Sequence, residues 1–468
     1  MLYQTDGNAP TRTNGASAEA IREWDNAHFM HPWESMGNGD ANRVIAAGGQ
    51  GIYLFDPQGR RYIDGPGGMW NVQIGYGRAE MGQAIAEQAT RLAYHSPWAF
   101  ASEPSAVLAQ KLAAMAPGDL NSVFFTTGGS SAVDSALRFA QFYNNLRGLP
   151  EKKLILARDK GYHGSTYLSA SVSGKERGKG FLDTEQRLVR FLPNVNPYTR
   201  PDGMSAEAWC DLRVADVEQA ILEAGADKVA AFIAEPILAS GGVIVPPPGY
   251  HQRTLEICRR YDVLYISDEV VTAFGRLGHW FASEDVFGIV PDIITSAKGL
   301  TSGYLPLGAM ILSDRLLNDI TSDDREHIMF SNGYTYSGHP VCCAAALKNI
   351  EIFEREGLLE HVRSVTPHFQ ARLREMAKFE IVGDARGMGL IGCIEGAAAP
   401  GISGANRLAI DTEFGARVDA KCEAMGLIVR PMINMCVFSP PLIITEPQID
   451  EMFDILETAV AQVQNEMM

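Results

Sequence analysis

The sequence predicts an α/β fold: a large domain built on a mostly parallel sheet, plus a small α+β domain that draws on both chain ends. Three observations predict it. The chain has 468 residues, more than one domain of about 100–200 residues holds. Between residues 120 and 312, short and almost continuously apolar segments alternate with helical patterns. That is the signature of strands buried on both faces of a parallel sheet. Towards both ends the pattern changes, to a short meander at the start and to long helices around brief strands at the finish. The expected division is 1–70 for the first part of the small domain, 71–340 for the large domain and 341–468 for the rest of the small one.

In order, the first ~18 residues are rich in Thr, Asn, Gly and Ser and predict a flexible start. Glu19–Phe29 reads as a short helix. Val44–Asp64 reads as an antiparallel meander, with the turn Asp56-Pro57-Gln58-Gly59 between Ile52-Tyr-Leu-Phe and Arg61-Tyr-Ile. Met81–Leu92 and Pro104–Met115 carry helical periodicity. The apolar strands are Val123–Thr127, Leu154–Ala157, Val229–Ala234, Val263–Ser267, Asp292–Ser296 and Leu307–Leu312, with a helix over Val133–Phe142 after the first. Thr335 begins a helical stretch reaching about residue 356. Helices over Leu358–Lys378, Ile410–Met425 and Glu446–Gln464 then surround strands near Gly389–Ile394, Leu427–Arg430 and Val437–Ser439, packed beside the meander.

Composition narrows the function. Hydrophobic residues make up 46% and charged residues 21%, which excludes a disordered or fibrous chain. The net charge of −16 argues against nucleic acid or an anionic membrane as the partner. No apolar run is long enough to span a bilayer, and Met1–Ala18 lacks a signal-peptide core, so the expected location is the cytoplasm. The seven cysteines, Cys210, Cys258, Cys342, Cys343, Cys393, Cys422 and Cys436, show no Cys-x-x-Cys pair. Reduced, mostly buried thiols are expected, and no metal site. The 46 glycines point to tight turns and close backbone approaches.

In a sheet of this kind, ligands bind beyond the carboxyl ends of the strands, so the residues just after strands are informative. Asp268 ends Val263–Ser267; by itself it could bind a metal, act as a base, contact a cofactor nitrogen or cap a helix. Lys298 lies between the strand Asp292–Ser296 and the turn Gly299-Leu300. An ammonium held there has a depressed pKa and can attack a carbonyl. Thr126-Thr127-Gly128-Gly129-Ser130-Ser131-Ala132 joins a strand to a helix. Its free N–H groups and small hydroxyls suit a phosphate, although a plain serine-capped turn would read the same. Ser173-Gly174-Lys175 is not a phosphate loop, because that motif's glycine spacing is absent. A lysine nucleophile, an acid for a pyridinium nitrogen and a phosphate cup together are what pyridoxal 5'-phosphate requires.

The stretch Tyr265-Ile-Ser-Asp-Glu-Val-Val-Thr-Ala-Phe-Gly-Arg-Leu-Gly-His-Trp-Phe, followed by Pro291-Asp-Ile-Ile-Thr-Ser-Ala-Lys-Gly-Leu-Thr-Ser-Gly-Tyr-Leu-Pro-Leu-Gly-Ala, resembles the signature of class III aminotransferases. These are fold-type I pyridoxal-phosphate enzymes, and Asp268 and Lys298 have the separation expected of them. The resemblance covers nearly the whole chain, weakest before residue 20 and near 396–408, and is closest to the pyruvate-dependent ω-transaminases. It implies a seven-stranded sheet in the large domain. It implies that Lys298 forms the Schiff base and shuttles the proton, and that Asp268 pairs with the ring nitrogen. Val270 and Tyr162 would cover the two ring faces, Gly129 and Ser130 would hold the phosphate, and His163 and Glu235 would lie beside the cofactor. Thr335, in Gly333-Tyr334-Thr335-Tyr336, would reach the phosphate of a neighbouring subunit, making the enzyme a homodimer and allowing a dimer of dimers. Arg430 would pair with a substrate carboxylate and swing aside for a donor lacking one. Trp70 and Trp98 would line the substrate pocket.

Three departures from the family pattern stand out. The phosphate loop usually reads Asn-Ser-Gly-Ser-Glu-Ala, whereas here Thr127–Ala132 lacks one side-chain hydroxyl and the carboxylate. Leu238 stands where a polar cofactor contact is usual, and Met432-Ile433-Asn434-Met435 replaces Gly-Asp after Arg430. The expected activity is transfer of an amino group from an amine or ω-amino acid to a keto acid, pyruvate above all, through a pyridoxamine phosphate form of the cofactor. An aminomutase, racemase or decarboxylase on the same fold shares Lys298 and Asp268, and a non-catalytic cofactor-binding homologue is a more distant reading. A nicotinamide oxidoreductase is disfavoured, since no Gly-x-Gly-x-x-Gly opens the first strand–helix unit.

Overall fold

The computed structural model describes residues 16–34, 37, 43–174, 179–321, 328–397 and 413–467. The expected flexible start therefore falls, up to residue 15, outside the described residues, as do Lys175 and residues 410–412 of the expected helix Ile410–Met425, which is described over Phe414–Ala424. The first helix, Ala18–His28, is capped by the Ser17 hydroxyl, which accepts from the Ala20 N–H. The meander follows as β1 (Gly48–Gln50), β2 (Tyr53–Phe55) and β3 (Arg61–Asp64), antiparallel throughout.

The large sheet contains β4 (Leu120–Thr126), β5 (Leu154–Arg158), β6 (Val189–Leu192), β7 (Val229–Ala234), β8 (Leu264–Asp268), β9 (Ile293–Ser296) and β10 (Gly308–Ser313). Their spatial order is β4-β10-β9-β8-β7-β5-β6. Only β10 runs against its neighbours. β7 and β8 are buried at every position, as their unbroken apolar runs require. One face is covered by the helix Gly129–Leu146, whose Leu137, Phe139 and Ala140 pack on Ile155, Ile233, Ile266 and Met310. The other is covered by Ala206–Ala224 and Tyr250–Arg260. The seven strands agree with the resemblance, while periodicity alone misses β6: it is the sheet's last strand, short, interrupted by Arg190 and with Phe191 exposed. The helix expected from Thr335 starts only at Pro340.

The small domain holds β11 (Val382–Met388), β12 (Ile391–Gly396), β13 (Leu427–Ile428), β14 (Arg430–Met432) and β15 (Met435–Phe438). β11, β12, β15 and β14 form an antiparallel sheet, whereas β13 leaves it to pair in parallel with β3. Both chain ends thus build one α+β unit. β11 is not visible in the sequence pattern, because Val-Gly-Asp-Ala-Arg-Gly-Met is half-buried and carries two glycines and two charges. Arg276, in the loop after β8, ties this unit to the large sheet: its buried Nη1 donates to the carbonyls of Leu390 (2.9 Å) and Pro440 (2.6 Å). All seven cysteines are buried and free, and no described helix is long and apolar enough to cross a membrane.

The core of the small domain centres on Phe453, whose ring lies 5.3 Å from that of Phe369 and 6.2 Å from that of Phe438. Phe453→Ala would empty a fully enclosed site. We expect denaturant unfolding followed by circular dichroism to show a loss of about 3–5 kcal/mol.

Candidate active site

Five strand ends of the large sheet converge on one cavity. It is lined by Gly129, Ser130, Tyr162, His163, Gly164, Glu235, Ser240, Asp268, Val270, Val271 and Lys298. A second cavity adjoins it, sharing Tyr162, Ser240 and Lys298 and adding Trp33, Met69, Trp70 and Arg430. The half-buried Lys298 thus opens onto both.

Lys298 follows β9 in a left-handed backbone conformation (φ +44°), which L-residues hold only where the surroundings enforce it. The enforcement includes the residue after it: a Cβ on Gly299 would lie 2.5 Å from Gln73 Nε2 and 2.8 Å from Phe274 Cβ. Burial pushes the Lys298 pKa down to about 8, against the opposing pull of Asp268 and Glu235 and with the help of the Arg430 and Arg276 charges. Its Nζ stands 5.1 Å from the centre of the Trp70 ring, and the Arg430 guanidinium lies 5.8 Å from that ring.

Asp268 ends β8 with its carboxylate almost wholly enclosed. Oδ1 accepts from the Thr295 hydroxyl (3.1 Å) and the Val270 N–H (3.2 Å), and Oδ2 pairs with His163 Nδ1 (2.6 Å). Glu235, after β7, is buried, and burial raises its pKa. Its two oxygens accept from the N–H groups of Tyr162 (2.9 Å) and Ala239 (3.0 Å), fixing the two loops that flank the cavity.

At another part of the first cavity the helix Gly129–Leu146 begins after Gly128 with no side-chain cap, so its first-turn N–H groups are available to an anion. Val270 presses close here: a Cβ on Gly129 would come within 3.0 Å of Val270 Cγ1. The Ser130 hydroxyl accepts from the Ser165 N–H (3.0 Å). Ser131 and Thr127 turn their hydroxyls to each other (3.3 Å), and Ser131 donates to the Gly128 carbonyl. They therefore brace the loop and do not line the cavity. Leu238, expected at a cofactor contact, lies in the core and bonds back to Ile244.

These features fit pyridoxal phosphate: an uncapped helix start for the phosphate, an enclosed carboxylate for the ring nitrogen, Val270 and Tyr162 for the ring, and an amine of lowered pKa for the carbonyl. Thus Gly129, Ser130, Tyr162, His163, Glu235, Asp268, Val270 and Lys298 come together in one cavity, and Trp70 and Arg430 adjoin them in the next. Arg430 stands on β14 with Nη1 3.1 Å from Met69 Sδ. Two expected residues are not brought in. Trp98 is 91% exposed and lines neither cavity, so its expected place in the pocket is not met within one chain; it sits on the loop after Ala79–Arg91, two residues before the exposed Phe100. Thr335 is exposed on the turn before Pro340–Glu356, and its carbonyl accepts from the Tyr94 hydroxyl. Sequence reasoning misses Trp33, Met69, Gly164, Ser240 and Val271. Met69, Gly164 and Val271 carry a signal, each standing next to an expected site residue in the chain, whereas Trp33 and Ser240 carry none.

A lysine pKa near 8 has a direct readout. Above that pH the amine is neutral and nucleophilic, so in the cofactor-free protein Lys298 should react with an amine-modifying reagent with a midpoint near pH 8. Ordinary lysines should react near pH 10.4. In Asp268→Asn, which removes a charge that favours the ammonium, the Lys298 midpoint should fall further, as measured by peptide mass spectrometry.

Comparison with known proteins agrees with this geometry. The family model for aminotransferase class III matches residues 36–460. A probable aminotransferase of Mycobacterium tuberculosis is 42% identical over 467 residues, covering 97% of this chain and 96% of its own. The putrescine–pyruvate aminotransferase of Pseudomonas aeruginosa is 36% identical over 94% of this chain and 96% of its own. The crystal structure of a PMP-bound aminotransferase from Vibrio fluvialis superposes with a TM-score of 0.89 at 34% identity, over 96% of this chain and 99% of that one. An aminotransferase fold, a lysine and an acid at adjacent strand ends and a family match across almost the full length lead to one conclusion: the chain belongs to the class III aminotransferases.

Proposed function

We propose that this aminotransferase uses pyridoxal phosphate to move an amino group from an amine or ω-amino acid to a keto acid, with pyruvate as the acceptor. The observation that carries the reading is Lys298 at the junction of the two cavities, with Asp268 in one and Arg430 in the other. When bound, the cofactor supplies a carbonyl to take the amino group and a ring to hold the electrons left when the Cα–H bond breaks.

The chain's own groups do the rest. Lys298 would hold the cofactor through its carbonyl, and its amine would take and return the proton at the substrate's Cα. Its lowered pKa keeps a useful fraction in the neutral, basic form near physiological pH. Asp268, anchored by Thr295, Val270 N–H and His163, would offer its carboxylate to the ring nitrogen. Gly129 and Ser130 hold the phosphate at the helix start. Val270 and Tyr162 fix the ring plane, and Glu235 holds the loop carrying Tyr162.

Arg430 meets the carboxylate of the keto acid with its planar fork. Its guanidinium already reaches into the second cavity, where it meets the Met69 sulfur and the Trp70 face. The Trp70 ring neighbours both this arginine and Lys298, where it shapes the space for the part of the substrate that does not react. The exposed Thr335 is assigned to the phosphate of a neighbouring subunit, so the complete site needs a homodimer.

A donor panel with pyruvate tests the reading: alanine should form in equimolar amount with the carbonyl product, and only when the keto acid is present. Lys298→Ala should lower kcat by ~10³-fold or more. Arg430→Ala should raise KM for pyruvate about 10- to 100-fold, the worth of a charged hydrogen-bonded pair, while affecting a donor without a carboxylate far less.

A further inference from the structure

The second cavity takes one wall from Trp33, in the segment between the first helix and the meander. Its indole meets the Tyr162 ring edge-on, with centroids 5.4 Å apart and planes at 70°. Trp33 holds a left-handed backbone conformation (φ +68°). A bulky residue persists in that conformation only where its neighbours enforce it, and such enforced positions cluster at working sites.

Arg43 bonds to the chain on both sides of Trp33. Its Nη1 donates to Asp25 Oδ2 (3.1 Å) and Asn26 Oδ1 (2.8 Å), and its Nη2 donates to Glu34, the residue after Trp33. Asp25 Oδ2 also pairs with His31 Nε2 (2.9 Å). Asp25 and Asn26 belong to the last turn of Ala18–His28, so a single guanidinium fastens the helix end to the chain on the far side of the indole. The side chains of Arg43, Asp25 and Glu34 are between 26% and 29% exposed. They form a shared, partly enclosed network, and not an isolated surface pair of negligible worth.

We propose that Arg43 is a positioning residue for amino transfer: it acts through Trp33, setting the indole as a wall of the cavity that receives the amine. This rests on the amino-transfer reading of that cavity. The fork geometry is the essential part, since three acceptors on two chain segments are held by one planar group, which a lysine's point charge cannot reproduce.

The test uses the holoenzyme with pyruvate and benzylamine, or whichever amine the wild type turns over best. In Arg43→Ala, KM for the amine should rise roughly fivefold through loss of an aromatic wall contact, with kcat changed much less. Arg43→Lys should restore only part of this. Trp33→Ala should give a similar rise in KM, and adding Arg43→Ala to it should change KM no further. Hydrogen exchange supplies a readout independent of turnover: backbone amides of residues 18–34 should exchange faster in Arg43→Ala, and the amides around Lys298 should not. Additive effects on KM in the double variant, or faster exchange with KM unchanged, would overturn the proposal. A wild type that transfers no amino group from any donor would instead sink the reading beneath it.

Discussion

The site depends on one constraint: an amine must be kept largely dry at the carboxyl end of a central strand without being neutralised by a direct ion pair. The energetic preference of Lys298 for its neutral form comes from burial, while Asp268 and Glu235 lie near enough to oppose it. Asp268 is itself occupied by Thr295, the Val270 N–H and His163, so its carboxylate is committed elsewhere. Were acid and lysine locked together, the amine would be a poor base and the acid unavailable to a ring nitrogen. Asp268 ends β8, where it pairs with Thr295 of β9, and Lys298 lies beyond the end of β9 in the following turn.

A second consequence follows from where Arg430 comes from. The lysine, the acid and the helix Gly129–Leu146 all belong to the large domain, while the arginine stands on β14 of the small domain. Their relative position is therefore a property of the joint between the two. That joint includes the β3–β13 pairing and the Arg276 bonds to the Leu390 and Pro440 carbonyls. Trp70, on the turn after β3, contacts both cationic side chains across this joint. On the proposed reading, substrate preference would be set from the small domain and the Trp33 segment, and proton transfer from the strand ends of the large sheet.

Much of this was legible in the sequence, and the parts that were not have physical reasons. Strands buried on both faces announce themselves as apolar runs, so β7, β8 and β9 and the residues at their ends could be placed directly. β6 and β11 could not, since a strand with a half-exposed face or internal glycines loses that signal. Asp268 and Lys298 were readable because chemistry restricts their types and positions. Trp33 was not, because it reaches the cavity from the segment between the first helix and the meander, where no local pattern marks it. Ser131 and Leu238 show the reverse limit: both sit in recognisable motifs, yet one braces its own loop and the other fills the core. Trp98 and Thr335 remain exposed within one chain, so sequence position alone could not say what they meet.

The most direct test of the central claim is where the cofactor attaches. The enzyme would be reconstituted with pyridoxal phosphate, reduced with borohydride, digested and mapped by mass spectrometry. A phosphopyridoxyl group on Lys298, and on no other lysine in stoichiometric amount, is the predicted result. Stoichiometric labelling of a different lysine, or none after the cofactor's absorption has been seen to bind, would contradict it.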